Sequence, residues 1–173
     1  MDKAVTVFTY AAPVNEVPRV QILRYLGMQG TDGDENVNAL IDKLYPVMMD
    51  AMKFKACYLE VPVSITDNTV SLEYLSVKSG NLSSILRGCN RAVITAATAG
   101  IEADIAVKRA EVTSKAEALI LNAISVAGIE KFMADFNVFL KNKYEGYALR
   151  PRFSPGYGDV PLSMQKDLLN VLD

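Results

Sequence analysis

The sequence of 173 residues contains no histidine. This absence excludes the serine and cysteine hydrolase triads that use imidazole as their base. It also excludes zinc sites that need imidazole, and two cysteines are too few for an all-thiolate tetrahedral site. No histidine is present to ligate the cobalt of a cobalamin. We therefore predict no metal site and no chemistry that uses imidazole. The sequence shows no catalytic residue and no self-contained active site, which leaves open whether the chain is part of an enzyme.

The two cysteines, Cys57 and Cys89, do not form a C-x-x-C pair, and each lies in an apolar stretch. This pattern favours buried, reduced thiols in a cytosolic protein. Long apolar runs are also lacking, since the longest, residues 92–101, is far shorter than the ~20 residues that cross a bilayer. The first residues do not resemble a secretory signal. We expect a soluble, cytoplasmic protein with no membrane partner.

The charge pattern excludes a further class of function. The net charge is −2, and acidic and basic residues are interspersed without a basic stripe, which argues against binding to nucleic acid. A glycine-rich G-x-G-x-x-G motif after a strand is also missing, which argues against a Rossmann-type methyltransferase. Half of the residues are apolar, and the length suits one globular domain. We expect residues 1–173 to form a single domain.

The apolar periodicity alternates between strand and helix. It predicts strands over 5–10, 56–63, 70–77 and 91–98, with a turn at 67–68. It predicts helices over 18–26, 34–48, 81–89 and 101–107, a long helix over 114–142, and a final helix that Pro161 opens. The irregular residues 144–159 form a long loop, and loops of this length are often functional.

Individual residues refine the element boundaries. Pro46 lies inside a helical pattern and should kink or split that helix. Pro62 indicates that its strand is an edge strand or ends there. Asn81 is a candidate helix cap. Ser114 and Glu117 have the spacing of a capping box, in which each side chain bonds a free backbone amide of the other residue.

The irregular loop contains an Arg-x-x-x-Gly-Tyr pattern at Arg152, Gly156 and Tyr157, with Pro155 inside it. A guanidinium can bind a carboxylate with two parallel hydrogen bonds. Glycine permits close approach of a ligand to the backbone, and a tyrosine ring offers its face to a cation or a purine. The pattern therefore suits a small zwitterion. Glycine and proline also form ordinary turns, and arginine and tyrosine are common on surfaces, so the pattern alone leaves both interpretations open.

With its flanking residues, the loop reads Arg-Phe-Ser-Pro-Gly-Tyr-Gly-Asp-Val-Pro-Leu-Ser-Met-Gln over 152–165. This stretch resembles the C-terminal activation domain of cobalamin-dependent methionine synthase, and more closely its stand-alone bacterial relatives. Three earlier segments agree with the resemblance, at 23–27, 86–89 and 96–104. The resemblance implies an α+β fold, with a twisted, mostly antiparallel sheet packed with several helices.

The resemblance also implies a function. Such domains bind S-adenosylmethionine, which supplies the methyl group when an inactive cobalamin is reductively remethylated. Arg152 would bind the carboxylate of the cofactor, and Pro155, Gly156 and Tyr157 would line the site. Glu130 is a candidate for contact with its cationic end, and Glu145 is a further candidate for a cofactor-binding residue. Cobalamin would be carried in trans by a corrinoid-binding methyltransferase subunit, with a flavodoxin-like or iron-sulfur protein as reductant.

Some positions depart from the family pattern. Gly158 to Pro161 replace a Pro-Ala-Cys-Pro stretch, and Gly146 stands where the family has an acid, with Glu145 beside it. The chain stops at Asp173, so we expect it to be shortened at its C-terminus relative to the family. The alternative function is a non-catalytic docking domain for a corrinoid protein, without S-adenosylmethionine binding.

Overall fold

The computed structural model describes residues 7–173. These residues form two compact units. Unit 1 contains residues up to Tyr10 together with 56–96 and 141–173, and unit 2 contains 11–55 and 97–140. The candidate loop of residues 152–157 therefore belongs to unit 1.

A five-stranded sheet is formed by β1 (Phe8–Tyr10), β2 (Lys55–Thr66), β3 (Thr69–Leu72), β4 (Leu75–Lys78) and β5 (Arg91–Thr98). The strand order is β1-β2-β3-β4, and β5 also pairs with β2. The β1–β2, β2–β3 and β3–β4 pairs are antiparallel. Asp67 and Asn68 connect β2 to β3 with φ of 51° and 60°, the conformation that two-residue hairpin loops need. The predicted turn is confirmed.

Six helices lie in the described part of the chain: α1 (Arg19–Tyr25), α2 (Glu35–Ala51), α3 (Gly80–Ile85), α4 (Ile101–Thr113), α5 (Lys115–Lys143) and α6 (Met164–Leu172). The helices α3 and α6 belong to unit 1, and α1, α2 and α4 belong to unit 2. The long helix α5 lies in unit 2 up to Leu140 and ends in unit 1. The predicted mixture of helices with a mostly antiparallel sheet is confirmed.

The core of unit 1 joins the sheet to the C-terminal segment. Its buried members are Leu59, Val61, Val70, Leu72, Ile94, Val160, Met164 and Leu172. Side chains alternate between the two faces of a strand, so every second residue of β2 and β3 points into this core. Because Val160 precedes α6 and is itself buried, the end of the candidate loop is fixed to the sheet.

The core of unit 2 is built around α5. Phe132 and Phe136 are fully buried, and the ring of Phe132 stacks on Phe54 at 5.3 Å between centroids. A Cβ added to Gly128 would lie 2.9 Å from the sulfur of Met52. Gly128 therefore permits close packing in the middle of this helix rather than interrupting it.

Two strand predictions are wrong. The predicted strand 70–77 is two strands, β3 and β4, joined by a turn at Glu73 and Tyr74. The strand that contains Pro62 neither ends there nor lies at an edge, since β2 continues to Thr66 and pairs with three other strands. Pro62 is tolerated because it falls between the residues paired with β1 and those paired with β3. The predicted start of the first strand, residues 5–6, lies outside the described residues.

The helices also differ from the predicted ones at proline and capping positions. Pro46 does not split its helix, since α2 is continuous from Glu35 to Ala51. The cap of α3 is Ser79 and not Asn81. Only half of the predicted capping box forms, because Ser114 accepts from the amide of Glu117 while the Glu117 carboxylate pairs with Lys43 at 2.6 Å. Both cysteines are free, and both are half-buried rather than buried.

Candidate functional site

The candidate loop connects α5 to α6 and is fixed to unit 1 at two points. Phe153 packs against the unit 1 core near the start of the motif, and Val160 is buried in that core just after it. Two backbone hydrogen bonds close the segment between them: the Gly156 amide donates to the Val160 carbonyl at 2.9 Å, and the Val160 amide donates to Tyr157 at 3.2 Å. The motif is therefore a tight, anchored turn.

A third anchor is the carboxylate of Asp159, which lies at the N-terminus of α3. It accepts hydrogen bonds from the hydroxyl of Ser79 and from the backbone amides of Gly80, at 2.7 Å, and Asn81, at 3.4 Å. The Ser79 hydroxyl in turn accepts from the Leu82 amide at 2.9 Å. These bonds satisfy amides that would otherwise have no partner at a helix start. They fix the loop to a helix distant in sequence.

The electrostatics of this anchor favour the ionised carboxylate. The hydrogen bond from Ser79 holds the pKa of Asp159 below its ordinary value, and the amides of Gly80 and Asn81 act in the same direction. Partial desolvation opposes them, but the donors dominate. Sequence reasoning did not identify Asp159 as an anchor, because no local pattern links it to Ser79.

The glycines of the motif have structural roles. Gly156 and Gly158 have φ of 90° and 55°, in the left-handed region that favours glycine. A Cβ on Gly156 would lie 3.2 Å from the side chain of Leu162, and a Cβ on Gly158 would overlap the side chain of Asn81. The tight turn and its packing thus account for both glycines. The approach of a ligand to Gly156, which the sequence suggested, is not needed to explain that residue.

The structure places the four predicted motif residues together at the surface of unit 1. Tyr157 is 69% exposed, Arg152 and Gly156 are also exposed, and Pro155 is half-buried. An exposed tyrosine on an anchored turn is available to a ligand, and its ring loses little conformational freedom on binding. The role of these residues as a binding site stays a prediction.

The two acidic candidates lie apart along the chain. Glu145 is exposed in the turn that follows α5 and belongs to unit 1, as the motif does. Glu130 is exposed on α5 and belongs to unit 2. Of the two, only Glu145 therefore shares a compact unit with Arg152.

Two open clefts lie on the surface of unit 1, and neither is lined by the motif. One, of about 480 Å³, lies over the β3–β4 hairpin and is lined by Ser64, Ser71, Glu73, Tyr74 and Ser76 among others. The other, of about 320 Å³, is lined by Glu60, Val61, Pro62, Asn90 and Arg91. The loop thus offers a ligand an exposed platform, separate from both of these clefts.

A polar cluster beside the second cleft was not predicted. Arg91 pairs with Glu60 at 2.7 Å, and its guanidinium lies 5.9 Å from the ring centre of Tyr147. Burial and a hydrogen bond with Glu60 raise the pKa of Tyr144 to about 12. Tyr144 therefore remains a neutral phenol at physiological pH. No local pattern indicates this cluster, because its members come from two strands and a turn.

Over residues 7–173, no helix is both long enough and apolar enough to cross a membrane. The same residues contain no cluster of three or more acidic or cysteine side chains suited to a metal ion.

Comparisons with known proteins support the fold. No protein-family model and no curated protein matches the chain. Among solved structures, the chain is similar to the crystal structure of the MetH reactivation domain bound to AdoHcy, with a TM-score of 0.67 and 13% sequence identity. The match covers 97% of this chain and 70% of that one. The resemblance inferred from the loop motif is thus confirmed in structure, and the chain has the fold of a methionine synthase reactivation domain.

Proposed function

We propose that the chain binds S-adenosylmethionine through residues 152–157 and supports the reductive remethylation of cobalamin on a separate, cytoplasmic corrinoid methyltransferase. One observation carries this proposal. The Arg-x-x-x-Gly-Tyr turn is anchored by Phe153, Asp159 and Val160, and it presents Tyr157 and Arg152 at the surface of a reactivation-domain fold.

The residues of the loop suit the amino-acid part of this cofactor. Arg152 would bind the carboxylate, because a guanidinium forms two parallel hydrogen bonds with it. The exposed ring of Tyr157 would cover the sulfonium or the purine. Glu145, in the same unit, would contribute negative charge toward the ammonium group. Glu130 lies in the other unit, and the proposal does not need it.

The chemistry that S-adenosylmethionine supplies is transfer of its methyl group. Such a displacement at a reduced cobalt centre needs no proton donor or acceptor, so a chain without histidine can support it. The work of the protein is to bind and orient the cofactor. The corrinoid and an electron donor, a flavodoxin-like or iron-sulfur protein, would be supplied by partners.

Isothermal titration calorimetry tests the binding step. We expect wild type to bind S-adenosylmethionine and S-adenosylhomocysteine, and Arg152→Ala to weaken both by about tenfold or more, because a charge-assisted pair to the carboxylate is lost. Arg150→Ala is the matched control, since Arg150 is also exposed in this loop but lies outside the motif. It should bind as wild type does.

Two results would count against the proposal. Absence of binding by folded wild type at millimolar ligand would leave the docking-domain function as the better explanation. Equal weakening by Arg150→Ala and Arg152→Ala would indicate general charge attraction instead of a defined carboxylate site.

A further inference from the structure

The hairpin of β3 and β4 lies at one end of the sheet of unit 1, and β4 is an edge strand. Among the described residues, β4 pairs with β3 alone. Leu72 and Leu75 flank the two-residue turn and are directly opposite, so they form a hydrogen-bonded pair. Such pairs alternate along an antiparallel ladder, so the backbone groups of Ser76 and Lys78 point away from β3. These groups form the free edge of the sheet.

The side chains of β4 divide between the two faces of the sheet. Leu75 and Val77 pack against the core of unit 1 but are only half-buried, so part of their apolar surface faces solvent at this edge. Ser76 and Lys78 are exposed on the outer face. A strand added to this edge would therefore need apolar side chains on the inner face and polar ones on the outer face.

The larger cleft of unit 1, of about 480 Å³, lies on the outer face beside this edge. Its lining includes Ser71 and Ser76, which are directly opposite on β3 and β4, and the turn residues Glu73 and Tyr74. Glu73 is exposed, and Tyr74 is 43% exposed. The cleft therefore offers a carboxylate and an aromatic ring to a long cationic side chain.

The backbone and the apolar residues of β4 are complementary to a second copy of the same strand. Two β4 strands can run antiparallel with Ser76 of one copy opposite Ser76 of the other, and these residues then exchange two backbone hydrogen bonds across a two-fold axis. In this register, Leu75 of each copy lies opposite Val77 of the other on the inner face. The pairing thus satisfies outward backbone groups and covers apolar surface at the same time.

The charges at the two ends of this edge are complementary as well. In the same register, Lys78 of each copy lies opposite Tyr74 of the other, next to Glu73. The lysine stem can then cover the tyrosine ring at the cleft while its ammonium reaches the Glu73 carboxylate. The two-fold axis repeats this contact. An edge lysine usually prevents pairing between strands, but here the second copy supplies a carboxylate that neutralises it.

We propose that two copies of the chain associate through antiparallel pairing of their β4 strands, with Lys78 of each copy in the cleft of the other. The occupant of the free edge is thus a second copy of this chain. A four-residue strand covers less area than the ~800 Å² per partner of a standard interface, so the dimer is weak and forms at high protein concentration. The proposal does not depend on binding of S-adenosylmethionine to the loop.

Sedimentation equilibrium from micromolar to millimolar protein tests the charge contacts. We expect wild type to form dimers, and Lys78→Glu or Glu73→Lys to weaken the dimer about tenfold or more, because two attractive contacts become repulsive. The double variant exchanges the charges and should restore association to within about threefold of wild type. Lys108→Glu is the matched control, since it makes the same charge change at an exposed lysine of unit 2. It should associate as wild type does.

Substitution of Ser76 tests the backbone pairing. Ser76→Pro removes an amide that points away from β3, and proline is accepted in edge strands where the missing amide faces solvent. This variant should fold and should not form dimers. Ser76→Thr is the matched control, because it keeps the amide and should associate as wild type does. If Ser76→Pro does not fold, the charge variants decide the matter.

The proposal is overturned if folded wild type remains monomeric at millimolar concentration. It is also overturned if dimers form and Lys78→Glu leaves them unchanged, since another surface would then mediate association. A charge-exchanged double variant that is as weak as either single variant would overturn the antiparallel register. Calorimetry with S-adenosylmethionine does not measure these contacts, so this proposal and the proposed function fail in different experiments.

Discussion

The carboxylate of Asp159 accepts a hydrogen bond from the hydroxyl of Ser79, a residue eighty positions earlier in the chain. This contact joins the candidate binding loop to the N-terminus of α3. Both partners are also bonded to backbone amides of that helix, so the pair forms the centre of a small network. The order of the loop therefore depends on a charge that pH can remove.

The pH dependence of this anchor has a defined direction. The pKa of Asp159 in the folded protein is below its ordinary value of 3.8. The ionised carboxylate therefore stabilises the fold fully at pH values above 3.8, and this stabilisation is lost as the pH falls through the folded-state pKa. We expect Asp159→Asn to lower the melting temperature at neutral pH, and the difference from wild type to shrink in acid. Thermal melts of both proteins from neutral to acidic pH measure this. Asp67→Asn is the control, in a turn where asparagine is equally accepted. A difference that stays constant with pH would contradict the assignment.

Substitution of Gly158 tests the packing of the loop. Gly158→Ala places a Cβ against the Asn81 side chain and forces alanine into a left-handed conformation. The conformation costs about 1 kcal/mol and the overlap a further 1–3 kcal/mol, roughly. Gly146 also has a positive φ, of 88°, but has open space around it, so Gly146→Ala should show a conformational cost without any cost of overlap. Urea denaturation gives both free energies of unfolding. Asn81→Ala should restore part of the loss in Gly158→Ala, and no restoration would argue against this contact.

Two serines of one helix should respond oppositely to alanine. The hydroxyl of Ser83 is buried and has no hydrogen-bond partner among residues 7–173. Its removal should raise the free energy of unfolding by up to ~1 kcal/mol, since an unsatisfied buried group is deleted. Ser79→Ala should lower it by ~1 kcal/mol or more, because the Leu82 amide loses its acceptor and Asp159 loses a donor. Chemical denaturation of both variants decides the matter, and equal destabilisation would contradict the assignment of Ser83.

The elevated pKa of Tyr144 can be observed directly. Burial and the Glu60 carboxylate raise the pKa of Tyr144 from 10.0 to about 12. The neutral phenol therefore contributes fully to the free energy of unfolding below pH 10.0, and this contribution is lost as the pH rises through about 12. An ultraviolet titration of wild type minus Tyr144→Phe should show one phenol ionising near pH 12. Tyr147→Phe, which alters an exposed neighbour, should leave that high-pH step in place. A difference curve centred at the ordinary value would contradict both the burial of this hydroxyl and its contact with Glu60.

Local signals were sufficient for much of the fold. The apolar spacing behind Ser114 predicted α5, and the run from Arg91 predicted β5 with its observed bounds. The break between β3 and β4 was missed because Glu73 and Tyr74 are not typical turn residues. The turn allows β3 to pair with β4. Such pairing between strands cannot be inferred from a single segment of sequence.

The candidate site was only partly predictable for the same reason. Arg152 and Tyr157 lie close together in the sequence, so the Arg-x-x-x-Gly-Tyr pattern was sufficient to identify the loop. The roles of Asp159 and Gly158 depend on α3, which lies far away along the chain, and no local pattern indicates them.

Unit 1 is assembled from three separate stretches of the chain, and the middle stretch supplies the helix on which the loop is anchored. During synthesis on the ribosome, the sheet strands and α3 emerge well before Asp159 does. Such distant contacts form slowly compared with local ones. The candidate loop is consequently one of the last features to become ordered, so the hydrogen bonds of Asp159 mark a chain that has finished folding.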